Sequence, residues 1–252
     1  MARQKGIIKV KGTIGDLTFY KSGDGYLLRE KGGIDGKRIA TDPAFQRTRE
    51  NGSEFGRAGK SGKVLRKAFR PLIQMGSDSR MVSRLVRSMM RVIKTDTSNP
   101  RGERNLMNGD LSILNGFDFN IKGKLGTTFF ASFDVNMDRA SGEMSIDIAP
   151  FVPIEMISIP EGASHYKIMS GAAAIDFNEE VYEMVHTATA EQPLDGVLTS
   201  ALNHNHELTA GSELPLFLVL GIAFFQEVNG EMYVLRNGAF NPLSIVGIEN
   251  AV

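Results

Sequence analysis

The chain has 252 residues, 42% of them hydrophobic and 23% charged, which is ordinary globular usage and excludes wholesale disorder. It contains no Cys, so a disulfide framework, a thiolate nucleophile and a Cys-based metal site are all excluded. Its formal net charge is zero, yet the signs are segregated: residues 1–104 hold 24 basic against 10 acidic side chains, and residues 105–252 hold 5 against 19.

The first thirty residues read as short strands. Ile8 and Val10 share one face, Leu17 and Phe19 alternate with Thr18 and Tyr20, and Ser22-Gly-Asp-Gly25 is turn chemistry. A return strand over Tyr26 to Lys31 completes a hairpin or three-stranded meander, too small to be stable alone. Asp42-Pro43 is a helix start, with Asp as cap and Pro in the first turn. The helix runs towards Phe55, where Gly52, Gly56, Gly59 and Gly62 predict interruption and a flexible basic loop. Pro71 ends a second short helix.

Ser77 or Ser79 is the expected cap of a stronger helix from about Arg80 to Lys94. Met81, Val82, Leu85, Val86, Met89, Met90 and Ile93 recur at helical spacing. Arg80, Arg84, Arg87, Arg91 and Lys94 form one stripe on it, with no anion between Asp78 and Asp96. Like charges three and four apart repel, so the stripe asks for a partner.

Asn99-Pro-Arg-Gly102 marks the expected boundary between a basic module, 1–104, and an acidic one, 105–252. Beyond it the period changes to two. Phe129, Ala131, Phe133, Val135 and Met137 alternate with polar residues, and Met144, Ile146 and Ile148 follow the turn Arg139-Ala-Ser-Gly142. Further strands are expected at 165–170, 172–177, 181–189, 216–228, 231–236 and 243–248, with hairpin turns at Asn229-Gly230 and Asn237-Gly238. The fold class is therefore α+β: an N-terminal hairpin plus helices, then an antiparallel β-sandwich of jelly-roll or immunoglobulin-like type.

Chemical motifs fail on spacing. Gly56-Arg-Ala-Gly59-Lys60-Ser61 has Glu54 where a phosphate loop needs its first Gly, and no apolar strand precedes it. Asp134, Asn136 and Asp138 open like a calcium loop, but Arg139 and Ser145 replace its Gly and Glu, and alternation places the three on a solvated face. His204 and His206, followed by Glu207, lack a third ligand at recognisable spacing and read as loop residues. Asp176, Glu179, Glu180 and Glu183 form an acidic cluster in polar sequence, suited to docking a basic partner and not to acid–base chemistry. No catalytic residue, cofactor, metal or small-molecule substrate is expected.

The opening MARQKGIIKVKGTIGDLTFYKSGDGYLLREKGG and the later RIATDPAFQRTRENGSEFGRAGKSGK resemble an uncharacterised family of Bacteroidota proteins with a Gly-rich N-terminal hairpin followed by a Pro-started helix. The resemblance covers roughly the first 70 residues. It transfers no catalytic residue, and implies an N-terminal module fused to a variable β-rich part, as in surface, virion or filament proteins.

The sequence-based expectation is a non-enzymatic structural subunit that self-assembles head-to-tail as a filament, tube or virion component. Its basic Arg80, Arg84, Arg87, Arg91 and Lys94 would meet the acidic Asp176, Glu179, Glu180 and Glu183 of other copies. The alternative is a nucleic-acid-binding or packaging protein that holds phosphates with the basic helix. The longest apolar run, Leu214 to Phe225, is interrupted by Pro215 and Gly221 and falls short of the ~20 residues of a membrane span. The basic start lacks an apolar core, so no standard secretory signal is visible. The expected location is the cytoplasm or a particle assembled there, with export by a dedicated route left open.

Overall fold

The computed structural model describes residues 2–30 and 32–252. The chain forms two compact units, Met1–Arg49 and Glu50–Val252. The division therefore falls well before the expected 104/105 boundary.

The first unit is built on a four-stranded antiparallel sheet in the order β1-β4-β3-β2, from β1 (Ala2–Arg3), β2 (Gly12–Ile14), β3 (Leu17–Ser22) and β4 (Gly25–Glu30). Lys31, expected to end the return strand, lies outside the described residues. Gly25 closes the β3–β4 turn at φ 105°, a backbone state open to glycine, and Ser22 Oγ accepts the Asp24 N–H. After the short helix α1 (Gly36–Thr41), the Asp42 carboxylate accepts the Ala44 N–H at 2.9 Å, the expected cap. Among the described residues of this unit not one is buried.

The long helix α2 (Gln46–Ala68) runs without a break through Gly52, Gly56, Gly59 and Gly62. The expected interruption is absent because tertiary packing outweighs the cost of about 1 kcal/mol per glycine. Ala58, Val64, Leu65 and Ala68 are buried on one face, and Gly62 lies against Leu85. Pro71 sits in the first turn of α3 (Arg70–Ile73), as its missing N–H permits. The helix α4 (Met81–Thr95) buries Met81, Leu85, Met89, Val92 and Ile93. Its N-cap is Arg80, without a side-chain cap, so neither serine fills the expected role; just before the helix Asp78 Oδ1 accepts the Arg80 N–H at 2.6 Å.

Two antiparallel sheets follow. After the single turn α5 (Leu125–Thr128), β5 (Phe133–Asp138) and β6 (Glu143–Ile148) form a hairpin. Beyond α6 (Pro153–Met156) come β7 (His165–Asp176), β8 (Val181–Ala188), β9 (Gln192–Pro193), β10 (Leu202–Glu207), β11 (Leu216–Val228), β12 (Glu231–Val234) and β13 (Leu243–Glu249). The smaller sheet has the order β10-β6-β5. The larger runs β12-β11-β7-β8, with β13 also on β11 and β9 also on β7. The strands expected at 165–170 and 172–177 are one strand, β7.

β11 explains the architecture. It is buried on both faces from Leu216 to Phe225, so its sequence is continuously apolar and not alternating. Leu216, Leu218, Leu220, Ile222 and Phe224 pack with Tyr166, Ile168, Met144 and Ile146 between the two sheets. Phe217, Val219, Ala223 and Phe225 pack on the other face with Leu65, Phe69, Leu85 and Met89 of the helices. Residues 50–104 thus supply a helical layer to the core of the larger sheet, which is why they do not separate as a basic module. β8 runs close to β10 and β13 close to β5, so the two sheets draw together along their edges.

Asn229-Gly230 makes the expected tight hairpin between β11 and β12, with φ of 54° and 83°. Asn237-Gly238 does not join paired strands. β12 and β13 both pair with β11, over different stretches of it, and Gly238 instead lies where a Cβ would meet the Met75 carbonyl oxygen at 2.3 Å.

Candidate functional site

The basic stripe is not five equal cations. Arg84 is half-buried and ion-paired with Asp78. It donates to the carbonyls of Asp118 at 2.7 Å and Phe119 at 3.2 Å, and its guanidinium lies over the Phe117 ring. Arg84 therefore fastens α4 to the 117–119 segment, and its charge is spent there. Burial raises the Asp78 carboxyl, but the N–H groups of Ile121 and Arg80 and the Arg84 guanidinium outweigh this and hold it below the usual carboxylate range. Arg80, Arg87, Arg91 and Lys94 are exposed, and their side chains meet no partner among the described residues.

The acidic cluster divides in the same way. The Asp176 carboxylate accepts the N–H groups of Asn178 at 2.8 Å and Glu179 at 3.0 Å, closing the β7–β8 turn. Glu183 accepts the Thr209 N–H at 3.0 Å. Glu179 and Glu180 are exposed, the latter in a left-handed conformation at φ 57°. Glu180 shares a shallow depression of about 210 Å³ with Arg57 and Lys60.

The ion pairs seen among the described residues include several that each join partners from one part of the chain. Arg38–Asp42, Arg84–Asp78, Arg101–Glu50 and Arg104–Glu54 lie in 1–104, and Arg139–Glu249, Lys167–Glu191 and Arg236–Glu161 lie in 105–252. The most enclosed is Arg104–Glu54 at 2.8 Å, where Glu54 also accepts the Gly102 N–H. Burial works to raise the Glu54 carboxyl, but Arg104 and Gly102 bring it below its ordinary value.

His204 and His206 are on strand β10 and not in a loop, and both point inward. There they meet Ser170 of β7, whose hydroxyl lies 2.6 Å from His204 Nδ1 and 2.9 Å from His206 Nε2. Glu207, next along the strand, is exposed on the opposite face. The two imidazoles are therefore aimed at a hydroxyl and not at a shared cation position with Glu207. Among the described residues no three His, Asp or Glu side chains are grouped to hold a metal. Burial lowers the pKa of both rings. For His206, burial first and then His204 and His186 push it down to about 4. The cluster is a neutral network inside the inter-sheet core. His206 Nδ1 is buried without a partner, and Ser170 is fully covered.

Gly56 to Ser61 lie inside α2, which removes the loop that phosphate cradling requires. Asp134, Asn136 and Asp138 occupy the exposed face of β5, as alternation predicts.

No family model, curated protein or solved structure matches the chain.

Sequence reasoning missed one feature, which is the most unusual of the molecule: a unit of four strands whose side chains all remain exposed or half-exposed. Ile7, Ile8, Ile14 and Leu17 face solvent, Ile7 completely. Residues 6–11, expected to extend with Ile8 and Val10 on one face, form no strand, and Ile7 and Ile8 stand exposed in the connection between β1 and β2.

Proposed function

We propose that this chain is a non-enzymatic structural subunit that assembles with other copies of itself. One observation carries the reading: a four-stranded sheet spans the segment from Ala2 to Glu30, yet among the described residues of the first unit none is buried. A small sheet without a covered apolar face is not stable in water. Its exposed apolar residues form a surface of the kind that marks interaction sites. The sequence resemblance, an N-terminal module fused to a variable β-rich part as in filament or virion proteins, agrees with this. The exposed Arg80, Arg87, Arg91 and Lys94, and the exposed Glu179 and Glu180, supply complementary charges that no ion pair among the described residues consumes. Contact between basic and acidic surfaces of successive copies is heterologous, and such contacts build rings or open filaments.

Sedimentation velocity over a range of concentration and salt, with negative-stain microscopy of the same samples, tests the reading. Oligomers or filaments that loosen as salt rises are expected. A strict monomer under all conditions overturns it. A second reading, phosphate binding along α4, is favoured by Arg80, Arg87, Arg91 and Lys94, which lie exposed at its start and along it without an ion-pair partner among the described residues. It predicts DNA or RNA binding that weakens steeply with salt and is lost in R87E/R91E.

A further inference from the structure

We infer that the β11–β12 hairpin of one copy is the docking site for the N-terminal sheet of the next; this rests on the assembly reading above. β11 is buried as far as Phe225, but from Gln226 to Val234 every residue of the hairpin is exposed, on both faces of the ribbon. Val228 and Tyr233 on one face, and Met232 and Val234 on the other, are apolar or aromatic and uncovered. The ribbon is nonetheless anchored at its base, where the Glu227 N–H donates to Ser164 Oγ at 2.8 Å. A two-stranded ribbon exposed on both faces is marginal in water, so this one is built to be covered.

Its chemistry matches that of the first unit. β12 pairs with β11 alone, so one side of its backbone has no strand beside it among the described residues. β2, at the rim of the N-terminal sheet, likewise pairs only with β3. Free strand edges join by continuing the hydrogen-bond ladder. The charges are opposite. The ribbon carries Glu227 and Glu231, with no Lys or Arg between Lys167 and Arg236. The segment leading into β2 carries Lys9 and Lys11 beside the exposed Ile7, Ile8 and Ile14. The two partners are different surfaces of one chain, so each copy offers both halves of the contact.

The absence of native cysteine makes the test clean. Thr13→Cys and Tyr233→Cys are made as separate proteins, mixed and oxidised. A disulfide between the two variants is expected to form in the mixture faster and in higher yield than the symmetric disulfide of either protein alone. In parallel, E227K/E231K weakens self-association by roughly tenfold or more, and mixing it with K9E/K11E restores association. Circular dichroism melts confirm that each variant is folded. An oligomeric native chain that gives neither cross-link nor charge-swap rescue overturns this pairing and leaves assembly standing. A monomeric native chain overturns the assembly reading itself.

Discussion

The two compact units use the same strand chemistry and end in opposite states. In the second unit β11 is flanked by strands and covered on both faces, by helices on one side and by β5, β6 and β10 on the other. In the first, four strands make their ladder hydrogen bonds and leave Ile7, Ile8, Ile14 and Leu17 in water. A hydrogen-bonded sheet is therefore not the same thing as a stable one. Backbone pairing satisfies donors and acceptors, but the driving force comes from apolar area removed from water, and the first unit has removed little.

The comparison breaks most readily at its extremes. Phe217→Ala should cost about 3–5 kcal/mol, since the ring is fully buried against Phe177 and the helical face of β11. Ile8→Ala should leave the unfolding midpoint of the monomer unchanged, because nothing covers Ile8. Urea unfolding of both variants checks the contrast, and a comparable loss for Ile8→Ala would show that the first unit has a hidden core. Glu54→Ala comes next. It strands the enclosed Arg104 guanidinium and the Gly102 N–H, and should cost about 3 kcal/mol in the same assay.

Acid should act on the second unit through the inter-sheet cluster. The His206 pKa in the folded chain is about 4, below its ordinary 6.5, so the unfolded chain binds more protons between those values. Stability is then complete above pH 6.5 and falls as pH drops towards 4, by an amount on the order of 3 kcal/mol at the lower end. The variant His206→Phe should flatten that part of the pH–stability profile. The smallest contrast lies on one helix. Arg84→Ala should cost about 2 kcal/mol, through its lost carbonyl bonds and the stranded Asp78, whereas Arg87→Ala should stay within about 0.5 kcal/mol. Equal effects would mean that Arg84 is no more firmly tied into the fold than Arg87.

Much of the candidate surface was legible as charge and period. The spacing of Arg80, Arg84, Arg87, Arg91 and Lys94 placed them on one helical stripe, and all lie on or at the start of α4. Spacing could not separate Arg84 from its neighbours, because Asp118 and Phe119, whose carbonyls it binds, come from more than thirty residues away. The Ser170–His204–His206 network was illegible for the same reason. Its members belong to strands of different sheets, and nothing local in Ser170 announces two histidines.

By itself the amino-acid sequence determined the local elements whose signals are short-range: the Asp42-Pro43 start, the period-two strands β5 and β6, the Asn229-Gly230 hairpin and the apolar face of α4. These rest on backbone preferences and on which face of an element is apolar, both written within a few residues. Tertiary structure alone decided that α2 continues through four glycines, that residues 50–104 join the β-rich region, and that β12 and β13 share one strand as partner. Each depends on burial against distant residues. Such burial can outweigh a propensity of about 1 kcal/mol per position, and its absence leaves the first unit without a core.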